Sequence, residues 1–220
     1  MDFHINIRKK SFINPHDKTS IDVLKNINIK IKSKEFVCIV GPSGGGKTTL
    51  MNIIGGLIDA EDNKFNKKQG DLKTNGDYGY VFQTSRLLPW LTVKENIELV
   101  CEEKDEYIER IEILLSEFDL QQFKNYYPKS ISGGMRRKVS LARALIKEPQ
   151  ILLMDEPFVS LDQPTAESLY SVLINYWKKN PITIILITHN LKEAILLGDR
   201  IIFFPKDQLQ LFTIIRLNLK

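Results

Sequence analysis

The sequence predicts an α/β fold built around an anion-binding loop, on three observations. Residues 41–48 read Gly-Pro-Ser-Gly-Gly-Gly-Lys-Thr. They follow a strand-length apolar run, Phe36-Val37-Cys38-Ile39-Val40, and precede a helix-like Thr49-Leu50-Met51-Asn52-Ile53-Ile54 that Gly55-Gly56 ends. Two further runs, Ile151-Leu152-Leu153-Met154 and Ile182–Ile187, are apolar almost throughout, as strands buried on both faces of a parallel sheet are. Each stops at polar residues, Asp155-Glu156 and Thr188-His189, at the strand ends where open α/β sheets keep their sites.

Composition sets the bounds. A chain of 220 residues can bury a sizeable core in one domain, with room for a subdomain. It is 43% hydrophobic and 26% charged, an ordinary balance for a chain that folds in water. No apolar run approaches the roughly 18 residues that a membrane span needs. The start, Met1-Asp2-Phe3-His4-Ile5, lacks a basic segment followed by an apolar block. A protein that begins and stays in the cytosol is expected. Cys38 and Cys101 are too few for a disulfide or metal framework, and Cys38 reads as core. The net charge of +4 is spread over scattered lysines, which reads as solvated surface rather than a nucleic-acid patch.

Taken in order, Phe3–Ile7 and Ile27-Asn28-Ile29-Lys30-Ile31 alternate apolar and polar at period two and predict strands. A polar connection containing Asn14-Pro15 lies between them. Phe12, a lone aromatic before that connection, serves either in packing or as a platform for an adenine ring. Gly41–Thr48 fits G-x-x-x-x-G-K-[ST], the phosphate-binding loop. A random chain of this length gives such a match on the order of 1% of the time. Its glycines let backbone N–H groups turn toward one anion. Lys47 supplies a point charge for the β- and γ-phosphates. Thr48 offers a hydroxyl to Mg²⁺ and opens a helix whose positive end faces the phosphates.

Asp59–Gly76, rich in Lys, Asn and Asp, reads as a mobile surface segment. Tyr78-Gly79-Tyr80-Val81-Phe82 predicts a strand ending in Gln83, a candidate site residue by position. Leu87-Leu88-Pro89-Trp90-Leu91-Thr92 is either a buried loop or a docking surface. Thr92 suits an N-cap, with Glu95 near the helix start. Helical stretches are expected at about 93–103 and 105–118, the second placing Ile108, Ile111, Leu114 and Leu115 on one face. Ser132-Gly133-Gly134 opens a helix that runs to about Lys147 and is a second anion-friendly helix start. Two carboxylates at the end of a buried strand are costly without compensation, and Mg²⁺ with a hydrolytic water supplies it at Asp155 and Glu156. Ser160-Leu161-Asp162 leads into a helix through about Lys179. A helix around Leu191–Leu197 and strands around Arg200–Phe204 and Leu209–Ile214 close the chain, with no internal repeat.

In order and approximate spacing, Gly41–Thr48, Gln83, Ile131-Ser132-Gly133-Gly134-Met135, Ile151–Glu156, Ser160-Leu161-Asp162 and His189 resemble an ABC-transporter ATPase subunit, over nearly the whole chain. Ser-Gly-Gly between a helical insert and an apolar-Asp-Glu strand is the most specific part. Val81-Phe82-Gln83, Leu87–Val93, Glu95-Asn96-Ile97 and Met135 are similar to the nitrate/sulfonate/taurine importer group. The resemblance implies a P-loop NTPase fold of ABC ATPase type over residues 1–220, with an antiparallel β-subdomain and a helical insert at about 90–147. The chain departs from the family at several points. Met135 replaces the more usual Gln, Arg137 stands where Gln is common, and Phe12 stands where Tyr is frequent. Residues 61–75 lack a clear Gly-punctuated strand, and from the early C-terminus no appended regulatory domain is expected.

The resemblance also implies roles. ATP is held by Gly41, Pro42, Ser43, Gly44, Gly45, Gly46, Lys47, Thr48 and Thr49, with Phe12 against adenine. Thr48, Gln83 and Asp155 serve Mg²⁺. Glu156 is the general base, and His189, Gln83 and Lys47 complete the catalytic set. Ser132, Gly133 and Gly134 bind the γ-phosphate of ATP on a second ATPase subunit, and Asp162 faces that partner. The expected partners are that second subunit in a homodimer, transmembrane permease subunits that the Leu87–Thr92 region would meet, and an extracytoplasmic solute-binding protein, with no nucleic acid. The expected place is the cytoplasmic face of the membrane. Competing expectations are a soluble ABC ATPase acting on DNA or ribosomes, a non-catalytic regulatory subunit, and the ATPase of an export or lipid-transport system. The first of these usually carries large insertions or linked ATPase units. The second would have lost Lys47, Asp155, Glu156 or His189.

Overall fold

The computed structural model describes residues 2–61, 78–205 and 214–216. The chain divides into two compact units, Met1–Asp77 with Thr183–Lys220, and Tyr78–Ile182.

In the first unit, β1 (Phe3–Ile13) pairs antiparallel with β2 (Ser20–Ile31), from Phe3↔Ile31 to Ile13↔Ser20, with a register shift at Lys10/Ser11. Both strands are longer than the period-two pattern alone indicates. The turn between them is closed by Asn14 and Lys18 backbone N–H groups donating to Thr19 and Asn14 carbonyls, each at 2.9 Å. The Asp17 carboxylate accepts from the Thr19 N–H and hydroxyl, which extends the ladder past the alternating stretch. One face carries the buried Ile5, Ile7, Ile27, Ile29 and Ile31.

The same unit holds a second sheet. Its central β3 (Phe36–Val40) pairs in parallel with β6 (Thr183–Thr188) on one side and β7 (Arg200–Phe203) on the other. Strand β8 (Ile214–Arg216) runs antiparallel to β7. Every residue of β3 and β6 is buried, which explains their unbroken apolar runs. Helix α1 (Lys47–Ile54) follows the glycine loop, and α6 (Leu191–Leu197) follows β6. Arg200 pairs with Glu35 at 2.8 Å and donates to the Lys30 carbonyl at 2.7 Å, which ties the end of β2 to β7. Cys38 is fully buried; burial, then Glu193 and Asp199, raises its thiol above the usual range and leaves it an inert core residue.

In the second unit, β4 (Tyr78–Val81) pairs in parallel with β5 (Ile151–Asp155), from Tyr78↔Ile151 to Val81↔Met154. Helices α2 (Val93–Glu98), α3 (Ile108–Glu117), α4 (Gly133–Leu145) and α5 (Gln163–Lys179) make up the rest, with 3₁₀ turns over 104–107, 121–123 and 128–130. The helix expected over 93–103 therefore stops at Glu98. Ile111, Leu114 and Leu115 are fully buried as their spacing requires, but Ile108 is 52% exposed. It is the first residue of α3, in a turn that stays at the surface. Most of the Asp59–Gly76 segment and residues 209–213 of the last expected strand lie outside the described residues. Among the described residues no helix is long and apolar enough to cross a membrane.

Candidate functional site

The glycine loop joins β3 to α1 as expected. Gly46 sits at φ 90° and caps the helix, in a backbone region open to glycine at little cost. A Cβ there would also lie 2.9 Å from the Val23 carbonyl. Lys47 is buried, and its Nζ donates to the Gly41 carbonyl at 2.9 Å and the Pro42 carbonyl at 2.7 Å. Its ammonium is thus held over the loop's own backbone. An α-helix leaves its first N–H groups without an intrahelical acceptor, so the start of α1 presents donors at the loop. A cation and a helix start in one loop make a receptor for a polyanion.

Parallel pairing of Val40 with Thr188 puts Gly41 and His189 at the same end of their sheet. His189 is exposed and so is not part of the core. The turn that carries it is fixed by its neighbours. The Thr188 hydroxyl donates to Glu193 at 2.5 Å, the Asn190 N–H donates to the Thr188 hydroxyl at 2.9 Å, and the Asn190 amide donates to Glu193 at 3.3 Å. The Asn190 side chain also caps α6 through the Lys192 N–H. Phe12 lies on the hairpin of this unit, 44% exposed, with the Lys10 ammonium 5.2 Å from its ring centre. An exposed, flat ring leaves a face open for stacking.

In the second unit, the β4/β5 register brings Gln83 and the Asp155-Glu156 pair off the same sheet end. Asp155 is buried at the last residue of β5. Burial, with a further contribution from Asp155, raises the Tyr80 phenol above its ordinary range. Glu156 has φ 45°, left-handed for a non-glycine residue, so the chain turns sharply off the strand there. Ser132 caps α4 by accepting from the Met135 N–H at 3.2 Å. Asp162 caps α5, accepting from the Thr165 N–H at 3.0 Å and hydroxyl at 2.8 Å, and these bonds hold its carboxyl below the usual range. Asp155 and the Thr48 hydroxyl are hard oxygen donors. Among the described residues no three His, Cys, Asp or Glu form a metal cage. The Asp155 carboxylate and the Thr48 hydroxyl, one in each unit, are each a kind of donor that Mg²⁺ takes.

The Leu87–Thr92 loop is built around Asn96, which is fully buried. Its amide donates to the Leu88, Leu91 and Thr92 carbonyls at 3.1, 2.9 and 2.9 Å, and its carbonyl accepts the Leu88 N–H at 2.8 Å. Thr92 and Glu95 close a reciprocal cap at the start of α2. Trp90 is left 68% exposed, so the buried-loop alternative falls.

Arg143, Thr165, Asn190 and Glu193 escaped the motif reading, and Arg137 and Thr188 were noted there without a role. A usable signal existed for Arg137. It lies three residues after Gly134 and four before Leu141, on the helix face those buried residues define.

Comparison with known proteins agrees with this organisation. The family model described as ABC transporter matches residues 24–159. The aliphatic sulfonates import ATP-binding protein of Bacillus subtilis (strain 168) is 39% identical over 199 residues, 90% of this chain and 77% of that protein. The nitrate import ATP-binding protein of Synechocystis sp. is 37% identical over 204 residues, 90% of this chain and 76% of that protein. Among solved structures, the ATP-binding cassette MJ0796, in a dimeric post-hydrolysis state bound to ADP and Pi, matches with a TM-score of 0.80. It is 32% identical, and the match covers 99% of both chains.

Proposed function

The chain belongs to the ABC transporter family, and on that footing we propose that it is the ATP-hydrolysing subunit of an importer for a nitrate-, sulfonate- or taurine-like solute. The observation that carries this reading is the β3–loop–α1 unit with Lys47 bound back onto Gly41 and Pro42, in a chain similar over most of its length to import ATP-binding proteins. The backbone of Gly41–Gly46, with Lys47, Thr48 and Thr49, holds the phosphates, and Phe12 stacks on adenine. Thr48, Gln83 and Asp155 would each offer an oxygen to Mg²⁺, which when bound would supply charge compensation for the phosphates. Glu156 takes a proton from the attacking water, and His189 steadies the γ-phosphate. Phosphoryl transfer asks little more of a protein than positioning and charge compensation.

Ser132, Gly133 and Gly134 bind the γ-phosphate of ATP held by a second copy, so hydrolysis proceeds in a head-to-tail dimer whose closing and reopening drives a permease. Support comes from the capped, exposed start of α4 and from the dimeric state of the matched cassette. The Trp90 loop is the permease contact, a solute-binding protein delivers the solute, and the subunit works at the cytoplasmic face of the membrane. The test is light scattering on Glu156→Gln with and without Mg·ATP, beside an ATPase assay. A nucleotide-dependent dimer with little turnover is expected. A monomeric, fully active variant would overturn the general-base and shared-site assignments.

A further inference from the structure

Among the described residues, the roles assigned above leave the buried charge of Arg137 without a function. Arg137 sits on α4, one turn past Gly134, and is 5% exposed. A guanidinium leaves water only where partners replace its hydration. Here the partners come from one short stretch of chain. One terminal nitrogen donates to the Phe82 carbonyl at 2.7 Å and the other to the Gln83 carbonyl at 2.6 Å. Further along α4, Arg143 repeats the pattern, donating to the Arg86 and Ser85 carbonyls at 2.9 Å each. The same stretch is stiffened by rings. Phe82 stacks on Tyr80 with centroids 4.1 Å apart, and the Arg86 guanidinium lies 3.6 Å over Phe82. One helix therefore holds the backbone of 82–86, while the Gln83 side chain remains exposed.

We infer that Arg137 is a positioning residue that acts through Gln83, locking it to the helix that begins at Ser132-Gly133-Gly134 so that the two move as one body. This rests on the reading above, in which Gln83 meets the metal and Ser132–Gly134 meets ATP on the second copy. Engagement of α4 by the second copy then sets where Gln83 stands. The fork matters, because two successive carbonyls need two fixed N–H groups and an ammonium offers only a point charge.

The test measures turnover by the full chain against ATP and against Mg²⁺, together with thermal midpoints, for the wild type, R137A, R137K, Q83A and the double variant Q83A/R137A. For R137A, kcat falls about tenfold, KM for ATP stays within about twofold, and half-saturation by Mg²⁺ rises about threefold. R137K lies between R137A and the wild type. Adding R137A to Q83A lowers kcat by less than about twofold, because the group it positions is already gone. Losses that multiply in the double variant, or a fall in thermal midpoint with Mg²⁺ half-saturation unchanged, would overturn the inference. If R137A does not fold, R137K and Q83A/R137K make the same comparison. A wild type that does not turn over Mg·ATP, or a Q83A variant at the wild-type rate, would remove the underlying reading instead.

Discussion

Gly134 lies so close to Thr165 that a Cβ on the glycine would collide with the threonine methyl group. Thr165 in turn donates twice to Asp162, so the first turn of α4 is seated directly on the cap of α5. Gly133, one residue earlier, has nothing nearer than Arg136 and Leu161 at 3.9 Å. Two adjacent glycines thus differ in what they tolerate. Gly134→Ala forces the helices apart and costs about 1–3 kcal/mol, while Gly133→Ala leaves the thermal midpoint near that of the wild type. ATP hydrolysis falls in both, since both lie where nucleotide on the second copy is proposed to bind. Equal midpoints for the two variants would contradict the seating of α4 on Thr165.

Asn96 makes the Leu88–Thr92 loop a built feature. Replacing it with Leu leaves the Leu88, Leu91 and Thr92 carbonyls and the Leu88 N–H without their buried partner. A loss of about 1–3 kcal/mol is expected for groups left unsatisfied in this way. Trp90 fluorescence reports on the same change: its emission and quenching shift in Asn96→Leu as the loop loosens. Hydrolysis by the chain alone stays nearer the wild-type rate than hydrolysis stimulated by a permease. An unchanged Trp90 signal would show that Asn96 does not hold the loop.

How much of this was legible in the sequence depended on the range of the interaction. The loop at 41–48, the caps at Thr92 and Ser132 and the buried strands are short-range patterns, and the structure has them where the spacing put them. The hairpin strands were read too short because the bonds that extend them, through Asn14 and Asp17, lie in the turn and not in the alternation. Ile108 was misplaced because periodicity says which face a residue occupies but not how far along the helix the core extends. Spacing along α4 marks Arg137 as facing inward, but its grip on residues 82–83 spans more than fifty positions, so the local pattern does not name its partners. The left-handed turn at Glu156 is imposed by tertiary structure against the residue's own preference.

Asp22 gives a pH dependence whose sign can be worked out. Lys25 at 2.7 Å, the Ser11 hydroxyl at 2.7 Å and Lys9 at 3.0 Å hold its carboxyl well below the usual value of 3.8. A carboxyl with a lowered pKa in the folded state adds stability above its unfolded value and loses it as the pH falls toward the folded one. The difference in thermal midpoint between wild type and Asp22→Asn is therefore constant from pH 8 to about 5 and shrinks below about 4. A difference that instead grew on acidification would contradict the pairing. Salt reduces it as well, since the site is open to solvent.

Glu193 separates binding from turnover. Its carboxylate accepts from the Thr188 hydroxyl and the Asn190 amide, and these bonds define the turn on which His189 stands. Glu193→Ala removes both acceptors and is expected to cost about 1–3 kcal/mol, because the hydroxyl stays buried beside a vacated site. The Glu193 bonds given above go to the turn after β6 and not to the loop at 41–48, so affinity for ATP is expected to change little. His189 loses its frame, and kcat falls severalfold. Glu193→Gln keeps one carbonyl acceptor for the Thr188 hydroxyl and recovers part of the rate. Nucleotide titration by fluorescence beside steady-state turnover distinguishes the cases. A variant with wild-type kcat would mean that His189 does not depend on this frame. A variant that loses ATP binding in proportion to turnover would place Glu193 with the phosphate-binding loop instead.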